Sequence, residues 1–286
     1  MRRLSWGSNE SFDFYIATAP RNDILTFNLD DGYRHDSKMD KISVTIITYN
    51  EELTIRDALE SVLWADEIVV VDSHSQDSTL EICREYTDRI IQHDWPGHIG
   101  QKNFAIDQAS FPWILSIDAD ERVSPDLREE IEQLRKIGMP MDGYFISRRA
   151  FYLGRWIRHS GWYPDYKVRL FRKEKGRWGG TNPHDSVKLE GKTGSLKGAI
   201  EHYSYRDLAH NLDVINRYST IGAEELYKSG KRAGWHHMAL NPPLTFLKKY
   251  LLKQGYRDGM PGFLIAVLTA YSVFCKYAKL WELNKK

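Results

Sequence analysis

From Ile42 to Asp118 the chain repeats one unit: a short apolar run rich in β-branched residues, a turn, then a segment with helical spacing. The runs are "ISVTIIT" (Ile42–Thr48), "EIVVVD" (Glu67–Asp72), "DRIIQH" (Asp88–His93) and "WILSID" (Trp113–Asp118). Unbroken apolar character is what a strand covered on both faces requires. Between them, "EELTIRDALESVLWA" carries Leu53, Ala58, Leu59, Val62 and Leu63 at helical spacing. "DSTLEICREY" reads as a helix capped by Asp77 or Ser78, and "GQKNFAIDQA" as another. "SPDLREEIEQLRK" follows, with Ser124 as cap and Pro125 at the first helical position. "DGYFISRR" (Asp142–Arg149) predicts a further strand. Such alternation implies right-handed crossovers, hence an α/β fold: a Rossmann-like, mostly parallel sheet with helices on both faces.

Ligands of such sheets sit outside the carboxyl ends of the strands. Thr48-Tyr49-Asn50-Glu51, Asp72, His93-Asp94 and Asp118/Asp120 all fall there. Asp118 and Asp120 are separated by one residue, so in an extended segment both point to one side. Two carboxylates so placed can share a divalent cation, and oxygen ligands favour Mg²⁺ or Mn²⁺ over zinc. The competing reading is a solvated turn in which Asp120 caps the next helix. No G-x-G-x-x-G or G-x-x-x-x-G-K-[ST] follows the first strand, which argues against a dinucleotide-dependent dehydrogenase and a P-loop phosphotransferase. A net charge of +1 argues against nucleic acid as a partner.

Cys83 and Cys275 lie far apart without metal-ligand spacing, as expected of reduced thiols in a cytoplasmic protein. "MRRLSWGSNESFDF" lacks the apolar core of a signal peptide. "SFDFYIAT" alternates weakly, as a strand would, and "NLDDGYRHDSKMD" reads as turn and linker. Near the other end, "GFLIAVLTAYSVFC" (Gly262–Cys275) is shorter than the roughly 20 residues a spanning helix needs. Lys248, Lys249, Lys253, Arg257, Lys276 and Lys279 flank it. That pattern suits an interfacial helix on anionic lipid; the alternative is a core helix with a solvated basic flank.

Six segments, "VTIITYNEE", "EIVVVDSHSQDST", "SIDADE", "GWYPDYKVRLFRK", "NPHDSV" and "EHYSYRD", taken in order, resemble those of a family 2 glycosyltransferase with the GT-A fold. Within that family the chain is similar to bacterial enzymes that add a hexose to the lipopolysaccharide inner core. The resemblance runs from about Lys41 to the C-terminus. It divides the chain into an extension (1–40) of unassigned role, a catalytic domain (41–210) and a C-terminal helical, membrane-associating region (211–286). The catalytic domain splits into a nucleotide-sugar half (41–125) and an acceptor half (126–210).

The resemblance implies a UDP-sugar donor, UDP-glucose foremost, and a glycan or lipid-linked glycan acceptor. It puts Thr48, Tyr49 and Glu51 near the nucleotide, Asp72 on the base or ribose, and Gln101 and Lys102 in the donor site. Asp118 then faces the ribose or sugar, Asp120 holds Mg²⁺ or Mn²⁺, and His202 supplies a further metal ligand. Asp185 becomes the candidate base, standing where the family commonly has Glu after His; Asp165 is the rival. Trp162, Tyr163, Arg169 and His184 fall on the acceptor side. Arg169 and Arg172, on one side of a predicted strand if its register slips, suit a phosphate or a solvated basic edge. The implied reaction is a single inverting displacement at the cytoplasmic face of the inner membrane, with an anionic membrane surface as a further partner. Two other readings are a sugar nucleotidyltransferase, which would show a Gly-rich basic loop after the first strand, and a non-catalytic sugar-binding GT-A protein.

Overall fold

A computed structural model describes residues 39–181 and 184–285, with no side-chain detail for Thr181 and His184. The strand and linker expected before Lys38 lie outside the described residues. The first half runs β1 (Ile42–Thr48), α1 (Ile55–Glu60), β2 (Glu67–Asp72), α2 (Thr79–Arg84), β3 (Ile90–Gln92), α3 (His98–Gln108), β4 (Trp113–Asp118), β5 (Glu121–Val123) and α4 (Pro125–Lys136). The second half adds β6 (Gly143–Tyr152), β7 (Arg155–Trp156), β8 (Asp165–Arg172), β9 (Gly176–Thr181), β10 (His184–Leu189) and β11 (Thr193–His202). It closes with α5 (Leu208–Lys228), α6 (Trp235–Leu247) and α7 (Gly259–Leu283).

The main sheet has the order β3-β2-β1-β4-β8-β6-β11-β5, with β7 paired to β6. The expected parallel block is β3-β2-β1-β4. Beyond it the sheet is mixed: β8 is antiparallel to both β4 and β6, while β6 and β11 run parallel. Side-chain alternation along each apolar strand feeds two cores. Val44, Ile46 and Val70 pack against Ile55 and Leu59 of α1, Cys83 of α2, and Leu127 and Ile131 of α4. Val69, Val71 and Ile114 pack on the other face against Ile106 of α3 and Trp178 and Val187 of the β9–β10 hairpin.

The helix predicted around α1 is cut short. Leu53 and Leu63, expected on its apolar face, are exposed, whereas Ile55, Ala58, Leu59 and Val62 are buried. For Leu53 the reason is local: residues 50–52 bond to the segment at 75–79 rather than joining the helix, while Leu63 lies in the turn after α1 ends at Glu60. Asn50 and Glu51 backbone N–H groups donate to Ser75 Oγ and Thr79 Oγ1 (both 2.8 Å), and Glu52 N–H donates to Asp77 Oδ2 at 3.2 Å. Ser124 caps α4 as expected, accepting from Leu127 N at 3.3 Å behind Pro125. Gly198 of β11 permits the close approach to α4: a Cβ there would lie 2.4 Å from the Leu127 Cα.

The C-terminal region departs most from expectation. α7 extends well past both ends of its apolar run, and Gly255–Leu283 is long and apolar enough to cross a membrane by length and composition. α6 runs through Pro242 and Pro243, and a π-type turn (Lys248–Leu252) and a 3₁₀ turn (Gly255–Asp258) lead to α7.

Candidate functional site

Parallel register aligns the strand ends. Thr48 lies opposite Asp72, Asp72 opposite Gln92, and Ile47 opposite Asp118, so four strands deliver their polar termini to one rim. Asp72 is fully buried; it accepts from Ser75 N at 2.9 Å and from Ser75 Oγ, and so folds the turn after β2. Gln101, also fully buried, donates to Ser73 Oγ at 2.9 Å and pairs with His93 Nδ1 at 2.8 Å. These contacts tie α3 to the β2 and β3 ends. Tyr49 stands exposed above them.

The next residue of α3 places a cation among the carboxylates. Lys102 Nζ lies 3.1 Å from both Asp118 Oδ1 and Asp185 Oδ2, and 4.1 Å from the Trp178 ring centroid. Its side chain is only 7% exposed. Ammonium over indole in a desolvated place strengthens the hold on this geometry. Trp178 comes from β9, whose backbone Asn103 pins through two 2.9 Å bonds, one with Trp178 N and one with Trp178 O. Hence α3 and the β9–β10 hairpin together carry Asp185 to Asp118.

Glu121, unassigned from sequence, is the fully buried hub behind this group. Its Oε2 accepts the Asp118 backbone N–H at 3.0 Å, and its Oε1 lies 2.9 Å from Arg169 Nη2 and 3.5 Å from Arg148 Nη1. Arg169 also reaches Asp118 at 3.5 Å, and Arg148 reaches Asp165 at 2.9 Å. Arg169 gets there through a β-bulge: Tyr144 and Phe145 of β6 oppose Leu170 and Val168, leaving Arg169 as the extra residue. A bulge re-aims a side chain, here into the protein. Arg169 is therefore buried beneath the rim, while Arg172 at the other end of β8 lies over Trp113. Burial pushes the Asp118 carboxyl up, but Lys102 and Arg169 outweigh it and hold it well below the usual carboxylate range.

Asp120 faces a different partner. β5 pairs antiparallel with the end of β11, His202 opposite Glu121, and this brings His202 Nε2 to 3.1 Å from Asp120 Oδ2. Ser204 Oγ lies 2.7 Å from the other ring nitrogen and so orients the imidazole. Burial raises the Asp120 carboxyl, and His202 more than offsets it, leaving it lowered. Burial also pushes the Glu51 carboxyl up; Thr54 Oγ1, donating at 2.8 Å, opposes this and the Asp120 charge adds to it.

Among the described residues no group of three or more His, Cys, Asp or Glu is placed to hold a metal by itself. Asp120 and His202 offer two donors beside open rim. That fits an ion such as Mn²⁺ or Mg²⁺, which takes carboxylate and completes its shell with water and substrate phosphate. Thr48 Oγ1, Trp178 Nε1 and Arg169 Nε are buried without a hydrogen-bond partner among the described residues. Two surface clefts of about 430 Å³ open instead near Phe111, at the amino ends of the strands, away from this chemistry.

Other expected site residues lie further off. Trp162 packs with Tyr152 and Tyr205, centroids 5.5 and 6.0 Å away, in a small cluster with Ile157 and Ile265. Tyr163, half-buried, follows it in the same loop. His184 opens β10, and its side chain lies outside the described detail. Sequence reasoning missed Glu121, Arg148 and Trp178. A third carboxylate directly after Asp-x-Asp was the one available signal for Glu121; the Arg148 role depends on pairing across the sheet and left none.

The family model for glycosyl transferase family 2 matches residues 43–187. The lipopolysaccharide core biosynthesis glycosyltransferase LpsC of Rhizobium meliloti (strain 1021) is 32% identical over 248 residues, covering 84% of this chain and 92% of that protein. An uncharacterised glycosyltransferase of Rickettsia typhi (strain ATCC VR-144 / Wilmington) is 33% identical over 261 residues, covering 87% and 89%. In fold, the chain is similar to the mannosyltransferase PcManGT of Pyrobaculum calidifontis, solved with GDP-Man and Mn²⁺, at a TM-score of 0.52 and 14% identity over 86% of this chain and 90% of that one.

Proposed function

Because the chain belongs to glycosyltransferase family 2, we propose that it moves a hexose, glucose from UDP-glucose, to a lipopolysaccharide core or related glycan with inversion. The observation that carries this reading is the pairing of a strand-end Asp118-x-Asp120 with His202 on one side and Lys102 and Arg169 on the other. It is a rim built to face a compact anionic group, with cations already in place behind the carboxylates.

Thr48, Tyr49, Glu51, Asp72 and Gln101 form the nucleotide end. Asp120 and His202 would hold Mg²⁺ or Mn²⁺, which supplies neutralising charge to a departing diphosphate. Lys102 adds charge of its own from within 3.1 Å of Asp118. Asp185 is our assignment for the base, since it shares Lys102 with Asp118 and so stands at the donor end. An acceptor hydroxyl gives its proton to Asp185 as its oxygen bonds to the anomeric carbon, while the bond from that carbon to the diphosphate breaks. Asp165 is the alternative base, held by Arg148 at 2.9 Å. Arg169 acts from beneath, fixing Asp118 and Glu121, rather than meeting the acceptor. The work is placed at the cytoplasmic face of the inner membrane.

A panel of UDP- and GDP-sugars with Mg²⁺, Mn²⁺ or chelator tests this. Metal-dependent UDP release is expected, fastest with UDP-glucose. Pyrophosphate release from a nucleoside triphosphate and a sugar phosphate would establish nucleotidyl transfer instead, and silence with every donor would remove the reading.

A further inference from the structure

Burial is the rule for large apolar side chains in the α/β domain, and the α6–α7 hairpin departs from it. α6 buries none of its residues. Leu240, Leu244, Leu247 and Leu251 recur at steps of four, three and four, and each is at least 46% exposed. Phe263, Val267, Tyr271 and Phe274 make a second exposed stripe along α7. The two helices are joined through Phe246, Tyr250 and Phe263, with ring centroids 5.4 to 5.9 Å apart. Exposed apolar faces of this kind mark contact with another apolar body.

Charge says which. Between Lys231 and Trp281 the sole acidic residue is Asp258, and it is buried. Lys248, Lys249, Lys253 and Arg257 crowd the bend between the helices. Burial above all, with the charges of Lys248 and Lys253 beside it, pulls Lys249 down to about 8. Apolar stripes beside one-sided positive charge are the pattern of an in-plane lipid contact.

Both ends of α7 are fastened to the protein. At its start, Asp258 accepts from His159 N at 2.8 Å and Arg158 N at 3.3 Å, and pairs with His159 Nδ1 at 3.0 Å. Near its end, Lys279 Nζ donates to Asn216 O, Ser219 Oγ and Thr220 Oγ1 on α5 at 2.7, 2.9 and 2.8 Å. Crossing a bilayer would break one fastening or the other; lying along its surface keeps both.

We propose that the α6–α7 hairpin lies in the plane of an anionic bilayer, its apolar stripes at the headgroup–acyl boundary and the bend cations on lipid phosphates. This deepens the membrane-face placement above and rests on it, but does not depend on the transfer chemistry. The Asp258 clamp then fixes the Trp162 loop relative to the lipid surface, as an enzyme with a lipid-embedded acceptor would need.

Flotation of the full chain with phosphatidylethanolamine–phosphatidylglycerol vesicles, and with phosphatidylcholine vesicles, tests the proposal. Binding is expected only to the former. L244E/L251E should reduce it at least about tenfold, and Lys253→Gln about fivefold, with thermal unfolding and soluble UDP release unchanged. Equal flotation of L244E/L251E and wild type would overturn it. So would resistance to alkaline carbonate, which means spanning, or a dimer that L244E/L251E converts to monomer, which means a second copy covers the face. If the wild type floats as expected but releases no nucleotide, the docking surface stands and the transfer reading falls.

Discussion

At the carboxyl rim of β1 to β4 the protein buries charge; along α6 and α7 it exposes apolar side chains. Both arrangements cost free energy in an isolated domain, and they are handled differently. Three carboxylates at the β4–β5 end of the rim each have a cation or imidazole within 3.5 Å: Lys102 and Arg169 on Asp118, His202 on Asp120, Arg169 and Arg148 on Glu121. These pairs are in place without a ligand, and preorganised charge is what stabilises a transition state without reorganisation. Among the described residues nothing comparable covers the exposed leucines of α6. One region pairs charge inside the protein; the other leaves apolar surface outside it.

Four measurements would break or sharpen that contrast. Glu121→Ala should have the largest effect, because it strands Arg169 and Arg148 without their shared partner; a loss of about 3–5 kcal/mol in chemical denaturation is expected. A loss below about 1 kcal/mol would mean the rim is not internally compensated. Asp120→Ala should leave stability near wild type and lower metal-dependent UDP release about 10³-fold; near-normal turnover would remove the metal assignment. Asp185→Asn should cut transfer about 10²-fold while retaining UDP binding, as loss of a base does. Unchanged transfer would move the base to Asp165. Leu244→Ser should change stability by less than about 0.5 kcal/mol, as expected at an exposed position. A large loss there would show that α6 belongs to a core after all.

Much of the rim was legible because it depends on local pattern. Unbroken β-branched runs give doubly covered strands, and parallel strands put their ends on one edge whatever the details of packing. Thr48, Asp72 and Asp118 follow from that alone. Residues whose place depends on distant pairing were not legible. Arg148 comes near Glu121 through β11, which pairs with β6 on one side and β5 on the other, and Arg169 turns inward only through a bulge. Leu53 fits the helical period yet stays outside, because Asn50 to Glu52 are bound to the β2–α2 loop; Leu63 stays outside because the helix ends at Glu60 and a turn follows. The extent of α7 was hidden too: Lys279 looks like a solvated flank in sequence but serves as a bracket onto α5.

Asp258 also sets an order of events. The backbone N–H groups of Arg158 and His159 find their acceptor 100 and 99 residues further along the chain, and Ser160 N–H finds its own at Lys253 O. Domains fold from the N-terminal side as the chain is synthesised. Strands β1 to β4 are therefore all synthesised while this loop still lacks its latch. The 158–160 loop is thus latched late, by the same segment that carries the bend at 248–257. A nascent chain holds that loop in place only once the bend has emerged from the ribosome.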